Sequence, residues 1–493
     1  MAKRTFILLT IALFCLNLKT RADEGMWLPL LVDRLNYVDM QKMGCHLTAE
    51  EIYSINNASL KDAIVSINNG MYSGEMVSAE GLLLTNHHCA LSYIQNHTTV
   101  EKDYITNGFW ASEKNEELRN DKLSVSFLIR MEDVTGKISP YLTDKMTETE
   151  RSAMVDSLAS AIEKDAVTGT LYTAKVLPSF EGNEYYIFVT ETYKDVRLVG
   201  APPISIGKFG ADTDNWMWPR ETGDFSFFRV YMSPDGEPAE YSKKNIPYKP
   251  KHFLPVSIKG LKKDDFAMVL GYPSTTDRFM TSFGVKLALD KFNPTIVKIR
   301  EKRLFIMNDD MKASDEVRIQ YASKYAIISN YYKYYIGQSE QLEKLKIFDK
   351  KVAIETAFKA WYSADPKLKE KYSVALEEIK SAYDNISKYT IAYIYYREAI
   401  IRGMEIIAFA NTYEELDKQL KLTLDEEAIS KLTQSLTYAA KQYFKSYNFE
   451  TDKKICTAML EMFYEDVPKE FHPDIYATIQ KKYKWNISAY IEE

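Results

Sequence analysis

Several features are scarce in this sequence, and each scarcity excludes a class of protein. Positive charge is outnumbered, since 63 lysines and arginines face 69 aspartates and glutamates and give a net charge of −6. A nucleic-acid partner would require a basic face, so none is expected. Low-complexity tracts and short repeats are lacking as well, which excludes repeat architectures. The 493 residues, 27% charged and 46% hydrophobic, indicate a globular protein of two or more domains.

Long hydrophobic runs are also lacking. The apolar run at residues 6–18 is too short to span a bilayer comfortably, and no later stretch reaches that length, so no membrane span is expected. Lys3 and Arg4 precede this run, and Thr20-Arg21-Ala22 follows it with small residues for cleavage. This layout predicts a signal peptide over residues 1–22 and export to the periplasm or the cell surface.

Cysteine is rare, and the three that follow the signal segment are Cys45, Cys89 and Cys456. Export permits a disulfide, and an odd count leaves at least one thiol over. A Cys45–Cys89 bridge and three unpaired buried cysteines are both compatible with the sequence.

Glycine is scarce in one half of the chain only. Residues 23–285 contain 17 of the 19 glycines, and residues 286–493 contain two. Because glycine marks turns and is costly inside helices, the first half is predicted to be β-rich and the second helical. A helix is expected within the first half at 147–165, where Thr147 and Glu150 suit a capping box. The β-prone runs are 75–78, 82–85, 124–130, 184–190, 225–231 and 266–270.

Histidine, present six times, supplies the first candidate for chemistry. His87 and His88 lie in Thr85-Asn86-His87-His88-Cys89, directly after a predicted hairpin. An imidazole with a pKa of ~6.5 can take and return a proton near neutral pH. A rigid hairpin can deliver this base into a cleft, although a histidine pair can also be a surface loop or an incidental metal site.

A base of this kind needs an anion to hold its tautomer, and Asp224 at the start of an apolar run is the candidate. A turn aspartate that merely caps the strand is an equally good interpretation. The hairpin that ends in Thr85-Asn86-His87-His88-Cys89 resembles that of chymotrypsin-like peptidases, in which a nucleophilic serine follows in a Gly-x-Ser-Gly-like loop. No Ser-Gly pair follows Asp224 in this sequence.

Together these segments resemble the bacterial dipeptidyl-peptidase 7 and dipeptidyl-peptidase 11 family of chymotrypsin-like serine exopeptidases. The resemblance spans essentially the whole chain after the signal segment. The matching segments are Asp23-Glu24-Gly25-Met26-Trp27, the hairpin through Thr85-Asn86-His87-His88-Cys89, Phe209 to Arg220 with Thr222 to Ser226, and Ser329-Asn330-Tyr331-Tyr332-Lys333 with Ile336-Gly337.

The resemblance implies an α+β protein, a chymotrypsin-like double β-barrel with a large inserted α-helical domain. Residues 23–285 would form the catalytic domain, with barrel one and the start of barrel two at 253–273. Residues 286–493 would form the helical insertion. Family members run on beyond this length, so we expect a C-terminally incomplete chain whose second barrel and serine lie elsewhere.

The resemblance also implies roles for individual residues. His88, directly before Cys89, would be the general base and Asp224 its orienting carboxylate. Asn215, Trp216 and Asn330 would hold the free α-amino group of a peptide substrate. From the residues alone, Asn215 and Trp216 could equally be a packed loop plug, and Asn330 a surface polar residue on a helix. No cofactor and no metal ion are implied.

Two functions follow from these features. The first is a serine-type dipeptidyl aminopeptidase that releases dipeptides from free N-termini, present here without its nucleophile and inactive alone. The alternative is a secreted, non-catalytic peptide-binding module. A metal site built from His87, His88, Cys89 and His97 is a weaker idea, because the spacing matches no standard zinc signature. Family members pair as dimers, so a homodimer is possible, and the preference for the second residue of the dipeptide is left open.

Overall fold

The computed structural model describes residues 26–273, 276–422 and 426–493, so the predicted signal peptide lies outside the described residues. All strands of the described residues fall before residue 248, and long helices dominate after residue 281. Strands β1 to β11 are, in order, Ile64–Ile67, Tyr72–Met76, Leu82–Thr85, Phe109–Trp110, Leu118–Arg119, Val125–Asp133, Thr173–Ser179, Glu184–Tyr193, Asp195–Ala201, Ser226–Met232 and Ile246–Pro247.

The strands form one antiparallel sheet with the order β4-β9-β10-β3-β2-β1-β6-β8-β7, to which β5 adds on β9 and β11 on β10. Buried side chains of β1, β2, β3, β6, β9 and β10 meet in a single core. Because β6 and β9 lie at distant places in this order, the sheet must curve around that core. The antiparallel pairing of β3 with β10 places the end of β3 beside the start of β10 at one rim of the sheet.

Helices connect the strands and form the whole of the chain's second half. Helices α1 to α20 of the described residues are, in order, Tyr37–Lys42, Ala49–Ile52, His87–Asn96, Tyr104–Asn107, Thr135–Ile138, Glu148–Val167, Ile204–Gly207, Ala211–Asp214, Ser282–Leu287, Asn293–Ala313, Asp315–Lys344, Ile347–Ser363, Pro366–Tyr372, Ala375–Ile394, Glu405–Asn411, Glu414–Leu422, Glu426–Lys445, Phe449–Asp466, Ile475–Tyr483 and Ile487–Glu492. Short 3-10 turns occur at Pro29–Leu31, Leu60–Asp62, Lys114–Glu116, Ser139–Tyr141 and Lys469–Phe471, and π-helical turns at Val32–Asn36, Ala288–Phe292 and Tyr395–Ile401.

Most local predictions agree with these elements. The predicted strand at 82–85 is β3, and the runs at 124–130, 184–190 and 225–231 fall on β6, β8 and β10 within two residues at their starts. Only the first two residues of the run at 75–78 lie in a strand, the end of β2. The helix predicted at 147–165 is α6, and Thr147 and Glu150 form the predicted capping box. These features are fixed by short-range sequence, which explains their agreement.

The strand predicted at 266–270 is wrong, and the opening strands of a second barrel that the resemblance implies at 253–273 are not formed, because the structure has no strand between residues 248 and 273. A strand needs a partner for its backbone groups. One such contact occurs, from the N–H of Leu254 to the carbonyl of Met76 at 2.8 Å. Phe266 and Met268 pack against the small cluster of Val32, Met40, Cys45 and Ile52. Other apolar side chains of the segment lie in solvent, and Val269 is 99% exposed.

The helical half has its own core, in which α10, α11 and α18 pack around Tyr321, Tyr395 and Met459. Helix α11 also packs against α3, which carries the histidine pair. The side chain of Gln95 on α3 donates to the carbonyl of Gln320 and accepts from the N–H of Ser323, both at 3.0 Å. Helix α11 is thereby fixed against helix α3, which begins at the rim of the sheet.

All three cysteines after the signal segment are buried and carry free thiols, so the Cys45–Cys89 bridge is not formed. Within the described ranges, no helix combines the length and the apolar character needed to cross a membrane.

Candidate active site

The position of His88 follows from the register of β3 and β10. Thr85, the last residue of β3, pairs with Ser226, the first residue of β10. The chain continues past Thr85 into α3, whose first two residues are His87 and His88. It enters β10 from Asp224, two residues before Ser226. The two strand ends therefore bring His88 and Asp224 to the same point of the rim.

Both oxygens of the Asp224 carboxylate are engaged by His88. The ring Nδ1 lies 2.8 Å from Oδ2, and the backbone N–H donates to Oδ1 at 3.0 Å. The histidine side chain is 62% exposed, whereas the aspartate side chain is 17% exposed. Because Nδ1 faces the carboxylate, the proton of a neutral ring is held there, and Nε2 is left as an acceptor.

The electrostatics of the pair favour charge separation. Burial lowers the pKa of His88, but its interactions with Asp224 and Cys89 outweigh burial, and the net pKa is raised above 6.5. Burial raises the pKa of Asp224, but the hydrogen bonds and charge of His88 lower it more, and the net pKa falls. An imidazolium formed at this site is therefore stabilised, which is what a general base requires after it takes a proton.

His87 has a different environment, although it is the neighbour in sequence. Its side chain is buried, with 2% exposure, and its Nε2 has no hydrogen-bond partner among the described residues. The ring lies against Gly207, where an added Cβ would be only 2.3 Å from Cγ. Burial lowers the pKa of His87, in opposition to the charge of Asp224. This histidine is a neutral core residue and cannot reach a substrate.

Two further groups of contacts hold Asp224 and the two residues before it, and the sequence indicated neither group. The amide Nδ2 of Asn86 donates to the backbone carbonyl of Asp224 at 3.1 Å and to its Oδ2 at 3.3 Å. The N–H of Gly223 donates to the carbonyl of Ile206 at 3.0 Å, and Thr222 Oγ1 donates to the carbonyl of Gly207 at 3.2 Å. The only available signal was that Asn86 directly precedes the histidine pair.

A second cluster joins the loop after α8 to the middle of α11. Asn215 Nδ2 donates to Asn330 Oδ1 at 3.0 Å, and Trp216 Nε1 donates to the same oxygen at 3.1 Å. Trp216 Nε1 also lies 3.1 Å from the carbonyl of Asn330. The structure thus brings together the three residues for which the family resemblance implies substrate binding. Asn215 is buried, Asn330 is half-buried, and the indole of Trp216 is more than half exposed.

The polar atoms of this cluster are not equally available to a ligand. Asn330 Oδ1 accepts two hydrogen bonds, which uses both of its lone pairs. Asn215 Oδ1 accepts one, from Arg220 Nη1 at the long distance of 3.3 Å. One lone pair of Asn215 is therefore free to accept from an ammonium group. The ring of Trp216, 5.2 Å from that of Tyr334, supplies an aromatic wall beside it.

The metal site considered from the sequence is not assembled. His87 is buried in the core, and His97 Nε2 lies 3.2 Å from the side-chain oxygen of Asn120. Across the portions of the chain with described coordinates, no three His, Cys, Asp or Glu side chains are grouped as metal ligands.

Comparison with known proteins gives consistent results. The Asp/Glu-specific dipeptidyl-peptidase of Flavobacterium psychrophilum is 40% identical over 466 residues, which cover 94% of this chain and 65% of that protein. Dipeptidyl-peptidase 7 of Phocaeicola vulgatus is 40% identical over 500 residues, which cover 99% of this chain and 68% of that protein. The chain thus spans about two thirds of the length of these relatives.

A solved structure is similar in fold as well. The crystal structure of Porphyromonas endodontalis DPP11 in complex with the dipeptide Arg-Glu matches with a TM-score of 0.83 and 34% identity, over 96% of this chain and 67% of that one. The α+β prediction is confirmed by this likeness and by the mixture of helices with an antiparallel sheet. The Peptidase S46 family model matches residues 22–493. Because this match covers almost the whole chain and agrees with relatives of 40% identity, the chain belongs to the peptidase S46 family.

Proposed function

We propose that this chain carries the general base and the amine-binding site of a serine-type dipeptidyl-peptidase that releases dipeptides from the free N-termini of peptides. The observation that carries the proposal is the contact between His88 Nδ1 and Asp224 Oδ2 at 2.8 Å, with the imidazole at the surface. The relatives support the reaction class, since both are dipeptidyl-peptidases by name.

The chemistry of the base follows from its tautomer. Asp224 holds the proton on Nδ1, so Nε2 takes the hydroxyl proton of the nucleophile as it attacks the scissile carbonyl. The carboxylate stabilises the imidazolium, which then returns the proton to the leaving amine. The nucleophilic serine and the oxyanion hole would be supplied from outside residues 1–493, because no Ser-Gly pair follows Asp224.

The second cluster would define where the substrate begins. A free α-ammonium group donates hydrogen bonds, and Asn215 Oδ1 is the side-chain oxygen of this cluster with a lone pair left to accept one. Trp216 would cover the apolar flank, and Asn330 would hold both residues in place. Two residues of extended peptide span about 7 Å, so a fixed distance between this cluster and His88 would limit the product to a dipeptide.

For the whole protein we propose a chymotrypsin-like double barrel, in which the sheet of β1 to β11 is the first barrel and residues 286–493 belong to a helical insertion. The exposed apolar side chains of the segment at 253–273 support this, because they would be covered by a second barrel. Residues 23–285 would then be the catalytic domain. The predicted signal at 1–22 supports export to the periplasm or cell surface, and homodimer formation stays a proposal.

The test uses fluorogenic dipeptidyl substrates with acidic or hydrophobic second residues, each with a free or an acetylated N-terminus. We expect the protein of the complete reading frame to cleave only substrates with a free N-terminus, and His88→Ala to abolish cleavage. Residues 23–493 alone should show no turnover. If residues 23–493 alone cleave the substrates and His88→Ala abolishes that cleavage, the proposal that the nucleophilic serine lies outside these residues is wrong.

The absence of a Ser-Gly pair after Asp224 also favours a second candidate, a secreted peptide-binding module without catalysis. Calorimetric binding of unhydrolysed peptides, with turnover absent even from the complete reading frame, would favour that alternative. In both cases acetylation of the peptide N-terminus should abolish binding, since it removes the ammonium group.

A further inference from the structure

We propose that Asn86 is a positioning residue that orients the Asp224 carboxylate, so that one oxygen binds the start of helix α3 and the other binds His88. The consequence for catalysis rests on the proposed function, but the orientation itself does not. The inference comes from how Asn86 and Asp224 divide the hydrogen bonds at this helix terminus.

Asn86 occupies the N-cap position of α3 without capping it. Asparagine at this position ordinarily accepts a hydrogen bond from the N–H of the second or third helical residue. Here the side chain of Asn86 accepts none from the helix, although its backbone has the extended conformation of a capping residue. The N–H of His88, the second helical residue, donates instead to Asp224 Oδ1 at 3.0 Å. Asp224 thus provides the cap that Asn86 would ordinarily provide.

The freed amide of Asn86 is used on Asp224. Its Nδ2 donates to the backbone carbonyl of Asp224 at 3.1 Å and to Oδ2 at 3.3 Å. Because both acceptors belong to one residue, these bonds fix the carboxylate relative to its own backbone. Oδ1 is held by the helix and Oδ2 is held by Asn86, which leaves Oδ2 facing His88 Nδ1 at 2.8 Å.

Removal of the Asn86 side-chain amide can change the pKa of His88 in either of two directions. If Asn86 positions the carboxylate, its loss lets Oδ2 move away from Nδ1, and the pKa of His88 falls. If Asn86 merely shares the negative charge of Oδ2, its loss leaves that charge to His88, and the pKa rises. The other titratable neighbours that act on His88 are His87 and Cys89, and neither is changed by the substitution.

The experiment follows the His88 ring by NMR titration in residues 23–493 carrying Asn86→Ala or Asn86→Ser. Serine retains the ability to cap a helix but is too short to reach Asp224 as asparagine does. We expect a lower His88 pKa in both variants, and a melting temperature in Asn86→Ser close to that of the unsubstituted chain. The resonance of the proton between Nδ1 and Asp224 should weaken in parallel.

Asn448 provides a matched control, because it occupies the N-cap of α18 and does cap it, accepting from the N–H of Thr451 at 3.0 Å. Asn448→Ala should lower the melting temperature and leave the pKa of His88 unchanged, which is the opposite pattern. An unchanged or raised His88 pKa in Asn86→Ala would overturn the proposal.

In the protein of the complete reading frame, misplacement of the carboxylate should lower kcat about tenfold to a hundredfold at unchanged KM. Failure of the proposed function would appear differently, as absence of turnover in the unsubstituted protein, while the titration would still report on Asn86.

Discussion

Gly207 offers a sharp test of how the core supports the candidate base. It is the last residue of helix α7, and the buried ring of His87 lies directly against its Cα. A Cβ at this position would be 2.3 Å from Cγ and 2.4 Å from Cδ2 of His87, whereas ordinary contact begins at 3.4 Å. In Gly207→Ala the ring must therefore move by about 1.1 Å. Because His88 follows His87 directly, the base would move with it.

Two opposing contributions determine how Gly207→Ala changes the free energy of unfolding. The backbone of Gly207 lies outside the left-handed region, so alanine would by itself stabilise the fold by about 0.4–1 kcal/mol. Overpacking of a buried site costs about 1–3 kcal/mol. The clash should prevail, and we expect a net loss of about 1–2 kcal/mol in the free energy of unfolding. In an active protein a displacement of 1 Å at the base can cost about a hundredfold in kcat.

The assay is thermal and denaturant unfolding of residues 23–493 carrying Gly207→Ala, His87→Ala or both. Removal of the ring gives the new methyl group room, so the double variant should be less destabilised than the sum of the single variants by about 1 kcal/mol or more. Gly136→Ala is the control, since nothing lies within 4 Å of its added Cβ and its backbone is also compatible with alanine. It should be neutral or slightly stabilising.

Two results would refute this reasoning. A Gly207→Ala protein as stable as the unsubstituted chain would mean that His87 is free to move. Strict additivity in the double variant would mean that the loss comes from elsewhere in the fold.

Three further predictions concern the same structure. The pKa of His88 is raised, and the base must be neutral to accept a proton, so kcat/KM should rise with pH only above pH 6.5. In Asp224→Asn this rise should occur at lower pH, and kcat should fall by about 10⁴. The charge-dependent stabilisation from the His88–Asp224 pair should be complete between about pH 4 and pH 6.5. It should be lost as pH falls through the lowered pKa of Asp224 or rises through the raised pKa of His88. The stability difference between Asp224→Asn and the unsubstituted chain, measured by denaturant unfolding, should therefore be largest inside this window and smaller at high pH. Thr147→Ala should cost about 1 kcal/mol through loss of the capping box on α6, measured by denaturant unfolding.

The features that sequence predicted well are those that short stretches of chain determine. The strand at 82–85 has alternating burial and a turn before it, and the helix from Glu148 begins at a capping box. From the residues alone, a contact between His88 and Asp224 was one of two equal interpretations, because 136 residues separate them and spacing alone carries no information about β3–β10 pairing; the family resemblance favoured the contact.

The features that sequence missed depend on tertiary partners. The run at 266–270 has the composition of a strand, but no neighbour within the described residues pairs with its backbone. Asn86 has the type and position of an N-cap, and local rules assign it to the helix; its donation to Asp224 appears only once β10 is placed beside β3. The exclusion of a side chain at Gly207 likewise depends on where His87 packs.

The geometry of the base is finally secured by the hydrophobic pattern of the sheet. Leu83 on β3 pairs with Phe228 on β10, and both side chains are buried in the core. A slip of one residue between these strands would turn such side chains outward, which the burial strongly disfavours. The same slip would displace Asp224 from His88 by one residue, or about 3.3 Å, and would break a contact of 2.8 Å. Core side chains therefore fix the distance on which the proposed proton transfer depends.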